Sequence, residues 1–310
     1  MLYRISTYLL VLCAPGLFGC QLLLELDSKQ CERDVDCADM LGATYVCSND
    51  TYLCVPDPAL VDSGPPPLPK EWEPCLRDKL PTADSVVVDG SIETVRVGLA
   101  TIDYTTHRTP NVTSARVCLA SDFDCNNPYH EGVMMDEEGF LNFEMPFLFK
   151  GRIEVEAENR LPVLVYRNRP YDGDYRGFGV STVAREEVAS LGTRSDDEVQ
   201  IDDAGLVIFE VRNCADDPAA GVTVARIGDS SDVPFYFDGP LPDQDLTATR
   251  IGTDLTHDGS PIAAGGFFNA KPGFATYEAR LAETGDLVAT FGIEVKAGHM
   301  ALIKVEPGDY

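Results

Sequence analysis

The sequence predicts an all-β protein: two tandem antiparallel β-sandwiches that follow a small disulfide-rich module and a Pro-rich linker. Three observations support this fold class. From residue 84 onward, short runs rich in β-branched and aromatic residues alternate with turn residues. The 310-residue chain contains 26 Gly and 21 Pro, a balance that suits sheets better than helical bundles. Segments of the first half align with segments of the second, as expected for one duplication of roughly 100 residues.

The composition excludes some partners. Asp and Glu number 51 against 24 Lys and Arg, which gives a formal net charge of −27. Proteins that bind nucleic acid or anionic lipid head groups carry basic clusters, so both partners are disfavoured. The hydrophobic fraction of 44% is ordinary for a globular protein, and the acidity therefore does not indicate disorder.

Residues 1–19 are typical of an export signal. Arg4 precedes the apolar run Ile5–Leu12, and small and turn residues follow. The run is too short to span a bilayer. We therefore expect residues 1–19 to be a signal peptide that directs export.

The end of this signal, Leu17–Cys20, resembles the bacterial lipobox. The resemblance implies that Cys20 is acylated and becomes the mature N-terminus, although Phe18 departs from the small residue usual there. Gln21 follows the cysteine, and the same resemblance then favours the outer membrane. Residues 20–30 would be the tether of a lipoprotein. Plain secretion with cleavage nearby is the alternative.

Eight cysteines remain after Cys13 of the signal and Cys20. An even number in an exported chain is typical of a disulfide framework, and eight cysteines allow 105 pairings. Four of the eight lie within Cys31–Cys54, a segment too short to form a sufficient apolar core. The interleaved pairs Cys31–Cys47 and Cys37–Cys54 are expected there. Zinc is disfavoured because zinc sites prefer cysteine pairs two to four residues apart.

The other four cysteines belong to the body of the protein. Six residues separate Cys118 from Cys125, so a strand–turn–strand hairpin would bring them within disulfide distance. Cys75 and Cys214 then remain, and their bond would fasten the start of the body to the second sandwich. Two free thiols, or an intermolecular bond, are the alternatives for this last pair.

The cysteine-rich module, residues 31–55, resembles modules found just after the lipid cysteine of myxobacterial-type surface lipoproteins. The resemblance rests on Cys31, Asp34, Asp36, Cys37, Cys47, Cys54, Val55 and Pro56. It concerns the compartment and implies no activity. The next segment, residues 56–74, contains seven Pro among 19 residues and is predicted to be a semi-rigid spacer.

The body is predicted to comprise a first sandwich (residues 75–170), an interdomain segment (171–204) and a second sandwich (205–310). The interdomain segment contains one predicted helix, Thr182–Leu191, with Ser181 as its cap and Gly192 at its end. The predicted strands are Ser85–Asp89, Glu93–Leu99, Ala115–Ala120, Gly139–Glu144, Gly151–Ala157, Pro162–Tyr166, Gly205–Val211, Gly221–Arg226, Pro234–Phe237, Gly265–Asn269, Phe274–Leu281, Leu287–Val295 and Met300–Val305.

The second half resembles the carboxypeptidase-regulatory or transthyretin-like β-sandwich. The residues that carry the resemblance are Pro218–Val224, Gly266–Asn269, Pro272-Gly273 and the last strand up to Pro307. An insertion, Pro240–Thr256, departs from the family pattern. The resemblance implies an accessory or adhesive module without chemistry of its own, and it extends more weakly to residues 84–170.

Catalytic and metal-binding patterns are weak. Ser230, Asp254 and His257 are residue types of a serine hydrolase, but no helices alternate with strands to build the α/β scaffold of such an enzyme. Asp122, Asp124 and Asn126 alternate as calcium ligands do, yet the glycine and terminal glutamate of a calcium loop are missing. The simpler interpretation is the tip of a disulfide-closed hairpin, and no cofactor is expected.

The sequence therefore predicts a lipid-anchored, non-enzymatic surface protein with binding or structural sandwiches. Its expected partners are the membrane, through the N-terminal lipid, and an unidentified protein or glycan. Two alternatives remain open: an extracellular hydrolase or carbohydrate-active protein, and a subunit of an envelope assembly. Exposed apolar strand edges would support the assembly subunit, because such edges recruit partner strands.

Overall fold

Strands make up almost all of the regular structure, which confirms the predicted all-β class. The computed structural model describes residues 45–47, 54–56, 68–76, 93–194, 199, 201–228, 232, 234–239, 241–252 and 261–309. The chain divides into two compact units, Met1–Pro65 and Pro66–Tyr310. The predicted signal peptide, tether and strand Ser85–Asp89 lie outside the described residues.

In the first unit, β1 (Tyr45–Cys47) and β2 (Cys54–Pro56) form an antiparallel pair. In the described part of the second unit, the helices are α1 (Glu73–Leu76) and α2 (Arg185–Arg194). Its strands in the first half are β3 (Thr94–Asp103), β4 (Val112–Leu119), β5 (His130–Glu131), β6 (Phe140–Pro146), β7 (Gly151–Ala157), β8 (Val163–Arg167) and β9 (Tyr175–Thr182). Its strands in the second half are β10 (Gly205–Val211), β11 (Val222–Arg226), β12 (Pro234–Asp238), β13 (Leu241–Asp243), β14 (Ile251–Gly252), β15 (Ile262–Ala270), β16 (Gly273–Leu281), β17 (Leu287–Val295), β18 (Met300–Val305) and β19 (Gly308–Asp309).

The two halves of this unit repeat one strand topology. In the first half, β3 pairs antiparallel with β6 and parallel with β9, while β7 pairs antiparallel with β4 and β8. In the second half, β10 pairs antiparallel with β15 and parallel with β18, while β16 pairs antiparallel with β11 and β17. Each half is thus a sandwich of two sheets. The sequence predicts antiparallel pairing, and each half also contains one parallel pair, β3 with β9 or β10 with β18.

One central sheet joins the two sandwiches. Strand β8 of the first half pairs parallel with β18 of the second, giving the order β13-β12-β15-β10-β18-β8-β7-β4-β5. Successive side chains of a strand point to opposite faces. Accordingly, Met300 and Leu302 of β18 enter one apolar core, and Ala301 and Ile303 enter the other. The sheet β6-β3-β9 packs on the first core, and the sheet β11-β16-β17-β19 packs on the second.

The predicted interdomain segment contains a strand of the first sandwich. Residues Tyr175–Thr182 form β9, whose register places Val180 opposite Thr101 of β3. The sequence did not predict this strand, because Gly177 and Gly179 interrupt the alternation of apolar and polar residues that is typical of strands.

Helix α2 begins later than predicted because Thr182 still belongs to β9. Ser181 therefore lies in a strand and does not cap the helix. Instead, the carboxylate of Glu187 accepts a hydrogen bond of 2.7 Å from the backbone N–H of Ala184, one half of a capping box. Val188 is buried and attaches the helix to the first core.

The end of the predicted Pro-rich spacer packs on the body. Trp72, the single tryptophan, is 1% exposed and belongs to the second core. A buried aromatic ring of this size stabilises the packed state by its large apolar area, which outweighs the extended preference of the neighbouring prolines. Residues 68–74 of the predicted spacer thus lie in the second compact unit.

Candidate functional site

A disulfide closes the loop that follows β4. Cys118 is buried near the end of β4, and its Cα lies 5.3 Å from the Cα of Cys125, to which it is bonded. This is the pair that the six-residue spacing predicts. Gly151 of β7 allows the close approach of this edge, because an added Cβ would lie 2.2 Å from the Cys118 carbonyl oxygen.

The other predicted cysteine sites are distributed between the two units. Cys75 is bonded to Cys214, with Cα atoms 5.7 Å apart, as the sequence analysis expects. Cys47 is disulfide-bonded, and Cys54 lies opposite it in the β1–β2 pair. The predicted lipid site Cys20 and the predicted disulfide residues Cys31 and Cys37 lie outside the described residues.

Asp122 organises the turn inside the disulfide loop. Its carboxylate accepts backbone hydrogen bonds from Asn127 (2.7 Å) and Asn126 (3.0 Å). These bonds, the one from Asn127 foremost, hold the pKa of Asp122 below its ordinary value. The predicted calcium candidates Asp122, Asp124 and Asn126 thus lie on one turn, and both carboxylate oxygens of Asp122 already serve that turn.

Arg152 of β7 holds the same loop through hydrogen bonds to its backbone carbonyls. Its side chain is 2% exposed, and its guanidinium donates to the backbone carbonyls of Asp122 (3.1 Å) and Phe123 (2.5 Å). A third bond of 2.9 Å goes to the carboxylate of Glu154 on the same strand. Arginine presents several donors in a rigid fork, so one side chain can hold both the loop and the carboxylate.

Glu154 stands at the centre of a charged cluster. Its carboxylate accepts hydrogen bonds from Arg116 (2.5 Å), Arg152 and Lys296 (3.2 Å). Burial alone would raise its pKa, but the hydrogen bonds and charges of Arg152 and Lys296 outweigh burial and lower the pKa. The cluster therefore keeps Glu154 ionised and the loop fixed in place.

The nearby Glu294 has the opposite pKa shift. Its carboxylate lies 3.4 Å from Arg152 and 3.7 Å from Lys296, and neither oxygen has a hydrogen-bond partner among the described residues. Desolvation by burial raises its pKa and outweighs the charges of Lys296 and Arg152, which lower it; the charge of Glu154 adds to the rise. Because Glu294 belongs to β17 and Glu154 to β7, the cluster links the two sandwiches.

Leu119–Met135, which we call the edge segment, covers one side of the first sandwich. Its β5 pairs with β4 of the central sheet, with Glu131 opposite Arg116. Its end pairs with β6 of the facing sheet, where Met135 forms a bridge with Leu141. The ring of His130 meets that of Phe143 edge-to-face at 5.8 Å. The segment therefore closes the gap between the edges of two sheets.

The edge segment is unusually apolar on its outside. Of nine large hydrophobic side chains that are exposed in the described part of the chain, six belong to it, and these are between 37% and 51% exposed. They are Leu119, Phe123, Tyr129, Val133, Met134 and Met135. Clusters of this kind mark interaction sites, whereas single exposed apolar residues are normal.

The stretch of chain that carries these apolar side chains is also rich in carboxylates. Residues 117–149 contain seven Asp and Glu and no Lys or Arg. Asp124, Glu131 and Glu137 are exposed. Asp136 and Glu138 bind Arg176 at 3.0 Å and 2.5 Å. The edge segment thus exposes apolar side chains together with the acidic residues Asp124, Glu131 and Glu137, which form no ion pair among the described residues, while Lys296 lies 5.9 Å from the centre of the Phe123 ring.

The chemistry of the cluster does not suggest a metal centre. Among the described residues, the Cys, His, Asp and Glu group close enough to hold an ion is Cys118, Cys125 and Glu154. Both sulfur atoms are in the disulfide and offer no thiolate ligand. Ser230, Asp254 and His257, the residue types of a serine hydrolase, lie outside the described residues.

Sequence reasoning located the turn of this site but missed its exposed apolar face. An apolar residue in or beside a strand is usually buried, so the sequence did not indicate that Leu119 and Phe123 would be exposed. The signal lay in the acidic stretch 117–149 without a basic residue, and in Val133-Met134-Met135, which belongs to no predicted strand.

Fold and site together define a disulfide-linked double β-sandwich with one acidic, apolar edge. No protein-family model and no curated protein matches the chain. Among solved structures, the TIE protein of Bacillus anthracis is similar over 70% of this chain, with 12% identity and a TM-score of 0.21. The chain spans 34% of that protein.

Two pilins give comparable matches. A Streptococcal ancillary pilin is 9% identical over 70% of this chain and 69% of its own, with a TM-score of 0.20. A mutant of the major pilin of Streptococcus pyogenes is 9% identical over 71% of this chain and 100% of its own, with a TM-score of 0.15. Similarity at this level supports no conclusion about function. Among the described residues, no helix has the length and apolar character needed to cross a membrane.

Proposed function

We propose that this chain is an exported, lipid-anchored, non-enzymatic binding protein of the cell envelope, and that the edge segment is its binding face. The observation that carries the proposal is the concentration of exposed apolar side chains on this one segment. Aromatic residues and Met are enriched at protein interfaces, and the edge segment exposes Phe123, Tyr129, Met134 and Met135.

The segment is also held in one geometry. The Cys118–Cys125 bond, the Asp122 turn and the bonds from Arg152 fix its first part. The backbone N–H of Asn142 donates to the Met134 carbonyl at 2.8 Å and fixes its last part. A preorganised face loses less entropy on binding than a flexible loop does, so this rigidity favours a binding role.

Site-specific photo-crosslinking tests the binding role. A photoreactive residue at Met134 is compared with one at Phe274, which is 71% exposed on β16. In cells that export the protein, we expect a discrete adduct from position 134 and none from position 274. Equal labelling from both positions, or no adduct from position 134, would contradict the proposed binding face.

The lipid anchor is proposed from the lipobox-like end of the signal. Cys20→Ser removes the thiol that would carry the lipid. We expect the wild-type protein to partition into the detergent phase and the variant into the aqueous phase, because acyl chains give stable membrane attachment. Identical partitioning of the two proteins, or a mature N-terminus without acyl mass, would exclude the anchor.

A subunit of an envelope assembly is the second candidate function. Strand β5 ends the central sheet, so a strand edge lies within the apolar edge segment. Unpaired strand edges recruit strands of other chains. A multi-component complex recovered with the position-134 adduct would favour the assembly, and a single binary adduct would favour the simpler binding protein.

A further inference from the structure

The charge around the edge segment identifies the chemistry of its partner. From the structure we infer that the edge segment binds a protein surface whose apolar side chains are flanked by Lys and Arg. This inference rests on the proposed binding role of the segment and adds the class of partner.

The exposed apolar side chains of the edge segment determine the shape that the partner must have. Leu119 and Phe123 lie at the end of β4 and in the disulfide loop, and Val133, Met134 and Met135 lie at the opposite end of the segment. The partner must therefore offer apolar groups along the whole side of the sandwich. Met side chains are flexible and polarisable and adapt to an irregular apolar surface.

The acidic residues of the edge segment determine the sign of the charge that the partner must carry. Asp124 and Glu131 are exposed within the segment, Glu137 is exposed just after it, and the sequence supplies no Lys or Arg between residues 117 and 149. Potentials of opposite sign meet across specific interfaces, and like charges in opposition cost several kcal/mol. A cationic rim on the partner satisfies both conditions.

The same charges disfavour other occupants. A second copy of the chain would bring two acidic rims together, and the chain carries a formal net charge of −27. Anionic lipid and nucleic acid attract basic surfaces and would be repelled here. A neutral glycan would stack on Phe123 and Tyr129 and donate hydroxyl hydrogen bonds to the carboxylates, but it carries no positive charge to complement them.

Synthetic peptides test the class of partner directly. The probe is a fluorescent ten-residue peptide in which Val and Phe alternate with Lys, and the matched controls carry Glu or Ser at the Lys positions. Fluorescence anisotropy with the folded protein should give at least about tenfold tighter binding for the Lys peptide than for either control at low salt. This preference should shrink several-fold at about 0.5 M NaCl, because salt screens exposed charges.

Variants assign the binding to the edge segment. Phe123→Ser and Met134→Ser should each weaken Lys-peptide binding by at least about fivefold, because anchor side chains dominate interface energies. Asp124→Asn combined with Glu131→Gln should reduce the preference for Lys over Ser. Phe274→Ser is the matched control and should leave binding unchanged, since Phe274 is exposed on another strand.

The outcomes separate this inference from the proposed function. Equal binding of the Lys and Glu peptides, or insensitivity to Phe123→Ser and Met134→Ser, would overturn the cationic partner. So would a concentration-dependent dimer, seen by sedimentation, that Met134→Ser abolishes, or binding confined to a neutral oligosaccharide. In each of these cases, a discrete adduct from position 134 would still support the proposed binding role of the edge segment.

Discussion

Val165 of β8 lies directly opposite Leu302 of β18, and through this parallel pair the sheets of the two sandwiches become one. Both side chains are buried in the first core. Neighbours in the same strands, Leu164 and Ile303, are buried in the second core. Because two strands serve both cores, we expect the two sandwiches to unfold as one cooperative unit.

Truncating Leu302 tests this coupling. Leu302→Ala removes buried apolar volume and should lower the free energy of unfolding by about 2–5 kcal/mol. Leu302 faces the first core, whereas Trp72, the only Trp, reports on the second. In urea titrations, Trp fluorescence and far-UV circular dichroism should shift together. A shift in circular dichroism with unchanged Trp fluorescence would show that the sandwiches unfold separately.

The control for Leu302→Ala is Leu119→Ala. Leu119 is exposed on the edge segment, so its truncation should change the free energy of unfolding by less than about 0.5 kcal/mol.

The two disulfides of the body should differ in their contribution to stability. The Cys75–Cys214 bond spans 139 residues and the Cys118–Cys125 bond spans 7. In the chain-entropy model, the longer loop contributes about 5 kcal/mol and the shorter about 2.5 kcal/mol. Replacing both cysteines of a pair with Ser, one pair at a time, should therefore destabilise the protein more for Cys75–Cys214. Equal losses in urea unfolding would contradict the loop-length argument.

The fold class was predictable because strand patterns are local. Gly151–Ala157, for example, alternates Ile153 and Val155 with charged residues, and β7 has these bounds in the structure. The repetition was predictable for the same reason, since the sequence of Gly151–Val155 aligns with that of Gly273–Tyr277, and these segments begin the equivalent strands β7 and β16.

The joining of the sandwiches was not predictable, because the pairing of Val165 with Leu302 connects residues far apart in the chain. A local sequence pattern predicts that a strand forms, but it does not specify the strand with which it pairs. The burial of Arg152 and Glu154 was also not predictable. Both residues alternate with apolar residues along the strand, a pattern typical of a solvent-facing surface. In the folded protein, Arg152 contacts Glu294 of β17 and the carbonyls of the disulfide loop, and these contacts are not recorded in the local sequence pattern.

Arg152 should therefore be more important for stability than an exposed arginine. Arg152→Met removes three hydrogen bonds and leaves the buried Glu154 and Glu294 with less positive charge. Breaking a buried charge network in this way costs about 3–5 kcal/mol. Hydrogen exchange of the backbone amides of Asn126 and Asn127 should also become faster, because the loop carbonyls lose their donor.

Arg280→Met is the matched control for Arg152→Met. Arg280 pairs with Glu278 at 2.9 Å, but both side chains are at least one-third exposed. An exposed ion pair contributes about 0–1 kcal/mol. If the two substitutions cost the same free energy of unfolding, the charged cluster does not support the edge segment as we describe.

Glu294 should make stability fall as the pH rises. Burial raises the pKa of this carboxyl above its ordinary value of 4.5, because desolvation outweighs the opposing charges of Lys296 and Arg152. The folded protein therefore holds a proton on Glu294 more tightly than the unfolded chain does. By linkage, the free energy of unfolding decreases as the pH rises from about 4.5 through the folded pKa. Glu154 has a lowered pKa, so its own effect is complete below this window.

Glu294→Gln isolates this contribution, because the amide has nearly the same shape and does not titrate. Urea unfolding of both proteins between pH 4 and pH 8 gives the difference in the free energy of unfolding at each pH. We expect the free energy of unfolding of the variant to increase relative to that of the wild type as the pH rises. The reason is that only the wild type must ionise a buried carboxyl that lacks hydrogen bonds. Glu144→Gln serves as the control, because Glu144 is exposed and pairs with Arg96 at only 3.7 Å. A flat difference for Glu294→Gln, or one that favours the wild type at high pH, would mean that Glu294 is ionised at little cost in the folded protein.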